Sequence, residues 1–222
     1  MWRDALLVAG KDLRIEARSR VTTSQVAPFA LIVLVLFAFA LDPDNGVLKS
    51  AAAGLFWIAV LFSAVLAIQR SFAVESHDSV RDGLRMSGLD PAGVFLGKAG
   101  ALAAQLLALE VMLAAGVFVL YGSKLGDPLA LIGTCVAATV GLAAAGTVYG
   151  VLAAGIRVKE TLLPLLLLPV VAPVVLAATK VWESALGVAS GDGHAWLRLL
   201  VVFAVVYTAF GVVAFGSLLE ES

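Results

Sequence analysis

Charged residues and cysteines are scarce in this sequence, and each scarcity removes a class of function. Only 14% of the 222 residues are charged, whereas 61% are hydrophobic, a balance that cannot cover a soluble core with polar groups. The net charge of -1 lacks the basic excess that nucleic-acid binding requires, so we expect no nucleic acid as partner. Cys135 is the single cysteine, which excludes an intramolecular disulfide and the usual metal cluster. We interpret Cys135 as a small buried hydrophobe.

Long apolar runs separated by short charged connections make up most of the chain. They cover residues 26–41, 51–68, 99–121, 129–156, 162–178 and 199–219. A hydrocarbon layer of roughly 30 Å needs roughly 20 mostly apolar helical residues, so each run is predicted to cross a bilayer once. The first run is not interpreted as a cleaved signal peptide, because the segment before it is long and mixed in charge. The sequence therefore predicts an all-α polytopic membrane protein with six transmembrane helices in a single transmembrane domain, residues 1–222.

The distribution of lysine and arginine predicts the orientation of the spans. Basic residues are retained on the cytoplasmic side of a membrane. With the N-terminus inside, the inner segments hold eleven of the fifteen basic residues, and the outer segments hold Lys49, Lys124, Lys180 and Arg198. Six spans with this bias place both termini in the cytoplasm.

Residues 1–20 precede the first run and are predicted to form an amphipathic helix in the membrane interface. Apolar residues recur at helical spacing at Trp2, Leu6, Ala9, Leu13 and Ala17. The bases Lys11, Arg14 and Arg18 occupy other faces, where each is worth roughly 1 kcal/mol near an anionic leaflet. Two interpretations stay open, a simple anchor on the bilayer and a shelf on which a cytoplasmic partner rests.

The longest inner connection, residues 69–98, is far longer than a turn between adjacent helices requires. It is predicted to contain a short helix capped by Ser76 or Asp78 and ended by Gly88 and Pro91. Val80 and Leu84 share one face of this helix, and the charged residues Arg81, Asp82 and Arg85 surround Leu84. These five residues are the candidates for contact with a soluble motor. The alternative is a solvated connector without a partner.

Glu110 is the one ionisable residue deep inside an apolar run, and such residues are functional candidates by default. Because no Lys, Arg or His lies inside a run to pair with it, we expect it to be protonated or bonded to a hydroxyl. The hydroxyls considered are those of Thr134, Thr139 and Thr147.

Small residues and prolines mark the fourth and fifth runs. The fourth run carries Gly133, Ala137, Gly141 and Ala145 four residues apart, with Gly146 and Gly150 as a second small face. This spacing predicts close approach of neighbouring helices. Pro164, Pro169 and Pro173 are predicted to free backbone carbonyls and kink the fifth span, either as a static bend or as a hinge.

Several motifs together resemble the haem exporter protein B family, CcmB. The resemblance covers nearly the whole chain and rests on these segments: Lys11-Asp12-Leu13-Arg14-x-Glu16-x-Arg18, residues 54–63, Arg70-x-Phe72, Asp82-Gly83-Leu84, Leu96-Gly97-Lys98 and the proline-bearing span from Leu163 to Pro173. The sequence departs from the family pattern at Gly88, where a proline often closes the loop helix, and Glu110 matches no family residue.

The resemblance implies a non-catalytic, ABC-2-type permease of the cytochrome c maturation transporter in the bacterial cytoplasmic membrane. Its partners would be an ATPase subunit like CcmA and membrane proteins like CcmC, CcmD and CcmE. Haem would be a substrate, or the cargo of a chaperone released by the complex, and ATP would act through the partner. The phosphate-binding pattern Gly-x-x-x-x-Gly-Lys-Ser/Thr does not occur in the chain, so hydrolysis must come from another subunit.

Haem ligands are few, because axial ligands are usually His, Met, Cys or Tyr. His77 and His194 fall in connections predicted to lie on opposite sides of the membrane and cannot form one site. His194 with Trp196 is a weak candidate for contact with haem, and the pair is also typical of an interfacial anchor. Two other functions stay open, a proton-coupled carrier built on Glu110 and a non-transporting assembly scaffold.

Overall fold

A computed structural model describes residues 1–20, 22–41, 46–74, 88–122, 126–154 and 159–221. Within these ranges the longest regular elements are seven α-helices: α1 Trp2–Ser19, α2 Ala27–Ala40, α3 Val47–Val74, α4 Pro91–Tyr121, α5 Pro128–Ala154, α6 Lys159–Ala185 and α7 Gly193–Glu221. A π-helical segment, Thr22–Val26, precedes α2. The predicted all-α polytopic class with an N-terminal helix is confirmed.

Five helices, α3 to α7, are long and apolar enough to cross a membrane. The first predicted span is different, because α2 has only 14 residues and a straight crossing needs roughly 20. A sixth span results only when α1 and the helix Ser24–Ala40, bent by 50°, count together. The first predicted crossing, residues 26–41, therefore falls on a helix that is shorter than a straight span.

Helix α2 packs beside the last turns of α4. The Tyr121 hydroxyl, at the end of α4, donates a hydrogen bond of 2.9 Å to the Leu34 carbonyl of α2. Gly116, one turn earlier on α4, faces the same part of α2, because a Cβ there would meet the Leu31 and Leu34 side chains. By contrast, α1 lies against the beginning of α4, at Gly93 and Gly97. The chain therefore passes from the start of α4 to its end between α1 and α2.

One end of the bundle gathers α1 and several helix ends, and we call it the α1 end. The ring of Phe72, near the end of α3, fills the space beside Gly150, near the end of α5. Gly216, near the end of α7, faces Pro91 at the start of α4, since a Cβ there would lie 3.6 Å from that ring. The start of the chain and the end of α7 consequently lie at the same end of the bundle.

Glycines of α5 set its distance from α3 and α7, as their spacing predicts. A Cβ at Gly141 would lie 2.9 Å from the Phe203 ring of α7. Gly146 and Gly150 leave room for Ile68 and Phe72 of α3. Side chains this close to a glycine backbone show that the prediction of close helix packing is confirmed.

Helix α3 is central and α7 is peripheral. Of the most apolar window of each helix, 67% is buried in α3 and 22% in α7. Phe56 and Trp57 of α3 pack on Trp182 of α6, and the Phe56 and Trp182 rings stack with centroids 4.0 Å apart. Helix α6 continues through its three prolines as one helix of 27 residues. The exposed surface of α7 is apolar and suits contact with lipid.

Candidate coupling site at the α1 end of the bundle

Helix α1 packs directly on the first two turns of α4, and two glycines make this possible. A Cβ at Gly97 would lie 2.6 Å from the Ala5 carbonyl oxygen, and one at Gly93 would lie 2.7 Å from the Met1 carbonyl oxygen. Ala5 and Val8 of α1 are buried in this contact. The Gly-x-x-x-Gly spacing on α4 gives the flat surface that lets two helix backbones approach.

A buried ion pair joins the same two helices. Lys98 of α4 is only 2% exposed, and its Nζ lies 3.6 Å from the Asp12 Oδ2 of α1. The same ammonium group lies 4.9 Å from the centre of the Phe72 ring of α3, a cation–π contact. A lysine removed from water needs such compensation, because an unpaired buried charge costs several kcal/mol. Lys98 therefore binds α1 and α3 to the start of α4.

Two further polar contacts extend from α1 to the neighbouring helix ends. Glu16 Oε2 lies 3.8 Å from Arg70 Nε, near the end of α3. Asp4 accepts a hydrogen bond of 3.3 Å from the backbone N–H of Asp90, which caps α4. We call the three contacts Asp4 with Asp90, Asp12 with Lys98 and Glu16 with Arg70 the α1 clamp. Three acidic residues of one helix thus hold the residues that flank the connection between α3 and α4.

Local charges at the beginning of α1 keep Asp4 ionised. The Met1 ammonium group, 3.2 Å from Asp4 Oδ2, and the N–H of Asp90 hold the pKa of the Asp4 carboxyl below its usual range. The same ammonium group lies 3.3 Å from Asp90 Oδ2, and its pKa is raised by these two carboxylates. Asp4 therefore stays a hydrogen-bond acceptor at neutral pH.

The connection between α3 and α4 is shorter than the predicted range 69–98, because both helices extend into that range. Helix α3 continues to Val74, and α4 begins at Pro91 after the N-cap Asp90. Residues 88–90 are described, with Gly88 at a φ of 65°. The predicted motor-contact residues, Val80, Arg81, Asp82, Leu84 and Arg85, and the predicted caps lie outside the described residues. What the structure describes is the pair of helix ends that hold this segment, and α1 contacts both.

Glu110 lies far from the clamp, in a contact between α4 and α5. It is 2% exposed, and its Oε1 accepts a hydrogen bond from the Thr139 hydroxyl of α5. Cys135, one turn earlier on α5, faces the same carboxyl group. Of the three hydroxyls considered, Thr139 is the partner, whereas Thr134 and Thr147 donate to carbonyls of their own helix. The prediction that a hydroxyl donates a hydrogen bond to Glu110 is confirmed, and the contact ties α4 to α5.

Comparison with known proteins gives the family. The sequence profile of the family described as CcmB protein matches residues 3–222. This chain belongs to the CcmB family. It is 29% identical to "Heme exporter protein B" of Haemophilus influenzae, over 94% of this chain and 95% of that protein. It is 27% identical to the protein of the same name in Pseudomonas aeruginosa, over 94% of both chains, and 29% identical to that of Paracoccus denitrificans, over 95% and 96%.

Three of the motifs that carry the CcmB resemblance meet in the α1 clamp. Asp12 and Glu16 belong to the N-terminal motif, Arg70 belongs to Arg70-x-Phe72, and Lys98 belongs to Leu96-Gly97-Lys98. Phe72 of the second of these motifs contacts Lys98. The sequence showed these motifs without showing that they touch. It also missed the contribution of Asp90 and of Gly93, although the four-residue spacing of Gly93 and Gly97 is a visible packing signal.

His194 and Trp196 lie at the other end of the bundle, in the first turn of α7. The His194 side chain is 80% exposed, with Nδ1 3.9 Å from Asp192 Oδ1. Arg198 also lies 3.9 Å from Asp192, and Trp196 is partly exposed. The structure does not bring these residues near Glu110 or the clamp, and His77 lies outside the described residues. His194 and Trp196 remain candidates for contact with haem.

Proposed function

We propose that this protein is the membrane permease subunit of an ABC transporter complex for cytochrome c biogenesis. It couples ATP hydrolysis in a separate subunit to haem export or to the release of a haem-loaded chaperone. The observation that carries the proposal is the match to the CcmB family over residues 3–222, with relatives named heme exporter protein B over nearly their whole length.

The arrangement at the α1 end supports a mechanical role for this chain. A soluble ATPase can act on a permease only through surfaces that reach beyond the membrane. We expect the connection between Val74 and Gly88 to supply such a surface. The α1 clamp holds the described residues that flank it, Arg70, Asp90 and Lys98. A displacement of the segment would therefore move α1, α3 and α4 together. Packed helices transmit such a shift as rigid elements rather than absorbing it.

Catalysis and cargo handling are assigned to different chains in this proposal. The permease has no catalytic residues, and a CcmA-like subunit hydrolyses ATP. CcmC-like, CcmD-like and CcmE-like membrane proteins supply and receive haem. The α1 end faces the cytoplasm of a bacterial cell, which places the ATPase beside the segment that contains Val80, Arg81, Asp82, Leu84 and Arg85.

Co-purification with the ATPase subunit tests the proposed coupling surface. Leu84→Asp places a charge on the apolar anchor of the predicted loop helix, and anchors at an interface centre are worth about 2 kcal/mol or more. We expect Leu84→Asp to lose the ATPase subunit in detergent. The matched control is Val188→Asp, which changes an exposed apolar residue in the connection at the other end of the bundle and should retain it. Full recovery of the complex with Leu84→Asp, with normal coupled hydrolysis, would refute the proposed surface.

A proton-coupled carrier is the second candidate, and one observation favours it. Glu110 is a buried carboxyl group whose Oε2 has no hydrogen-bond partner among the described residues. Intramembrane carboxyl groups of this kind serve as proton relays in carriers. The carrier requires Glu110 to exchange a proton in every cycle, whereas the permease requires only that the Thr139 contact persist. An assembly scaffold would require neither Glu110 nor ATP hydrolysis.

A further inference from the structure

Helix α1 presents three different faces, about a third of a turn apart. The first, with Ala5, Val8 and Asp12, packs on α4. The second is apolar and exposed, with Trp2, Leu6, Leu13 and Ala17. The third carries the bases Lys11, Arg14 and Arg18, and we call it the basic face. Lys11 pairs with the neighbouring clamp residue Asp12, with 3.1 Å between Nζ and Oδ1. Arg14 and Arg18 take no part in the clamp, so their role is still to be explained.

The three bases of the basic face line one side of an open groove of about 380 Å³ on α1. Leu6, Leu7 and Ile15 contribute apolar walls beside the three bases, and Gly10 leaves the middle of the groove empty of side chain. Within the described part of the chain, Arg14 and Arg18 make no ion pair, and both are exposed. A groove with apolar walls and cationic donors fits an amphipathic anion better than a free inorganic ion.

The depth of α1 in the membrane follows from its contact with α4. Helix α4 has 31 residues and is about 46 Å long at about 1.5 Å per residue, whereas the hydrocarbon layer is roughly 30 Å thick. The apolar run of α4 begins only at residue 99. Its first two turns, with Gly93 and Gly97, therefore project beyond the hydrocarbon layer. Because α1 packs on these turns, it lies at the level of the lipid headgroups.

We propose that the basic face of α1 binds the phosphate group of an anionic phospholipid in the adjacent leaflet. Arg14 and Arg18 donate to the phosphate oxygens, because a guanidinium group presents several N–H donors in one plane. Leu6 and Leu7 pack along the acyl chains below the headgroup. The bound lipid would contact Arg14 and Arg18, which the clamp does not use. Helix α1 would then be fixed between α4 and the leaflet.

Lipid retention by the purified full-length chain tests this site without any partner subunit. The protein in detergent is titrated with phosphatidylglycerol or with phosphatidylcholine, and bound lipid is counted by native mass spectrometry. The test variant is Arg14→Gln with Arg18→Gln. Lys49→Gln with Arg198→Gln is the matched control, because it removes two bases at the other end of the bundle. Arg14→Lys with Arg18→Lys keeps the charge but not the planar donors.

We expect wild type to retain phosphatidylglycerol in preference to phosphatidylcholine. The double glutamine variant should bind phosphatidylglycerol roughly thirtyfold more weakly at low salt, and the control should match wild type. The double lysine variant should lie between wild type and the double glutamine variant, because it keeps the charge but loses the planar donors. Thermal unfolding of each variant verifies that the fold is intact. Equal retention of the two lipids, or equal binding by wild type and the double glutamine variant, overturns the proposal.

An acidic protein is the alternative occupant of the basic face, and the same variants identify it. If the double glutamine variant keeps phosphatidylglycerol but no longer co-purifies with the ATPase subunit, the face is a protein-docking surface and the lipid site is refuted. Because lipid retention is measured on the isolated chain, its failure would leave the proposed permease function intact.

Discussion

Lys98 Nζ and Asp12 Oδ2 lie 3.6 Å apart in a contact that leaves the lysine side chain 2% exposed. A buried pair of this kind is costly to break, because the remaining charge stays desolvated. The pair joins the helix that precedes the bundle to the helix that follows the predicted coupling segment. Its energetics therefore measure how firmly α1 is held against α4.

We predict that Asp12→Asn destabilises the protein by about 3 kcal/mol, because it leaves the Lys98 ammonium group buried beside a neutral amide. The double variant Asp12→Leu with Lys98→Met should be much closer to wild type, since it replaces both charges with apolar side chains of similar length. Thermal unfolding in detergent provides the comparison.

Lys180→Met is the control for this measurement. Lys180 forms an exposed pair of 2.8 Å with Glu183, and exposed pairs contribute roughly 0–1 kcal/mol. A similar small loss in Asp12→Asn and Lys180→Met would show that the clamp pair contributes no more than a surface contact.

The glycine contact between α1 and α4 gives a second prediction. Gly97→Leu inserts a side chain where a Cβ alone would already lie 2.6 Å from the Ala5 carbonyl oxygen, so α1 must move away. Overpacking costs about 1–3 kcal/mol. A cysteine at the buried position Val8, in a Cys135→Ala background, should then react with a maleimide roughly tenfold faster or more.

The matched control is Gly100→Leu, three residues further along α4, where no heavy atom lies within 4 Å of the added Cβ. The Val8 cysteine should stay protected in this variant. If Gly97→Leu leaves the labelling rate unchanged, α1 does not pack on α4 in the membrane.

Hydropathy predicted the fold class because long apolar helices are imposed by the bilayer itself. It underestimated the helix ends: the run 99–121 belongs to α4, Pro91–Tyr121, whose first turns pack on α1 instead of lipid. It also overestimated the first span, because the run 26–41 yields a helix of 14 residues after a π-helical segment. Apolar content alone does not reveal where a backbone bends.

The docking face of α1 could not be predicted from helical periodicity. The periodic apolar residues Trp2, Leu6 and Leu13 remain exposed, whereas the buried face mixes Ala5 and Val8 with the carboxylates of Asp12 and Glu16. Such a face is recognisable only once its partners, which are distant in sequence, are in place. The Thr139 contact of Glu110 was easier to foresee, because a buried carboxyl group needs a donor and hydroxyls were the available donors.

Orientation is the subject of a third prediction. With the α1 end in the cytoplasm, a cysteine in place of Ser19 at the end of α1 should be labelled only from the cytoplasmic side. A cysteine in place of Ser190, in the exposed connection before α7, should be labelled only from outside. Cys135→Ala removes the background thiol. Labelling of the Ser190 position from the cytoplasm alone would reverse the orientation.

Glu110 provides a fourth prediction, which concerns stability. Thr139→Val removes the hydroxyl that donates to Glu110 Oε1 and leaves a buried carboxyl group without that donor, which should cost about 1–3 kcal/mol. Glu110→Gln keeps the acceptor oxygen and should cost less. Thermal unfolding that ranks Glu110→Gln as the more damaging change would contradict this role for the contact.

The yield of c-type cytochromes tests the proposed function most directly. Covalently bound haem is measured in cells whose only copy of this protein is wild type or Glu110→Gln, and in cells whose ATPase partner cannot hydrolyse ATP. Because Glu110→Gln preserves size and hydrogen bonding but cannot carry a proton, we expect it to support normal assembly, whereas the inactive ATPase should abolish assembly. Loss of assembly with Glu110→Gln at normal protein level, together with normal assembly beside the inactive ATPase, would contradict the permease and favour a proton-coupled carrier.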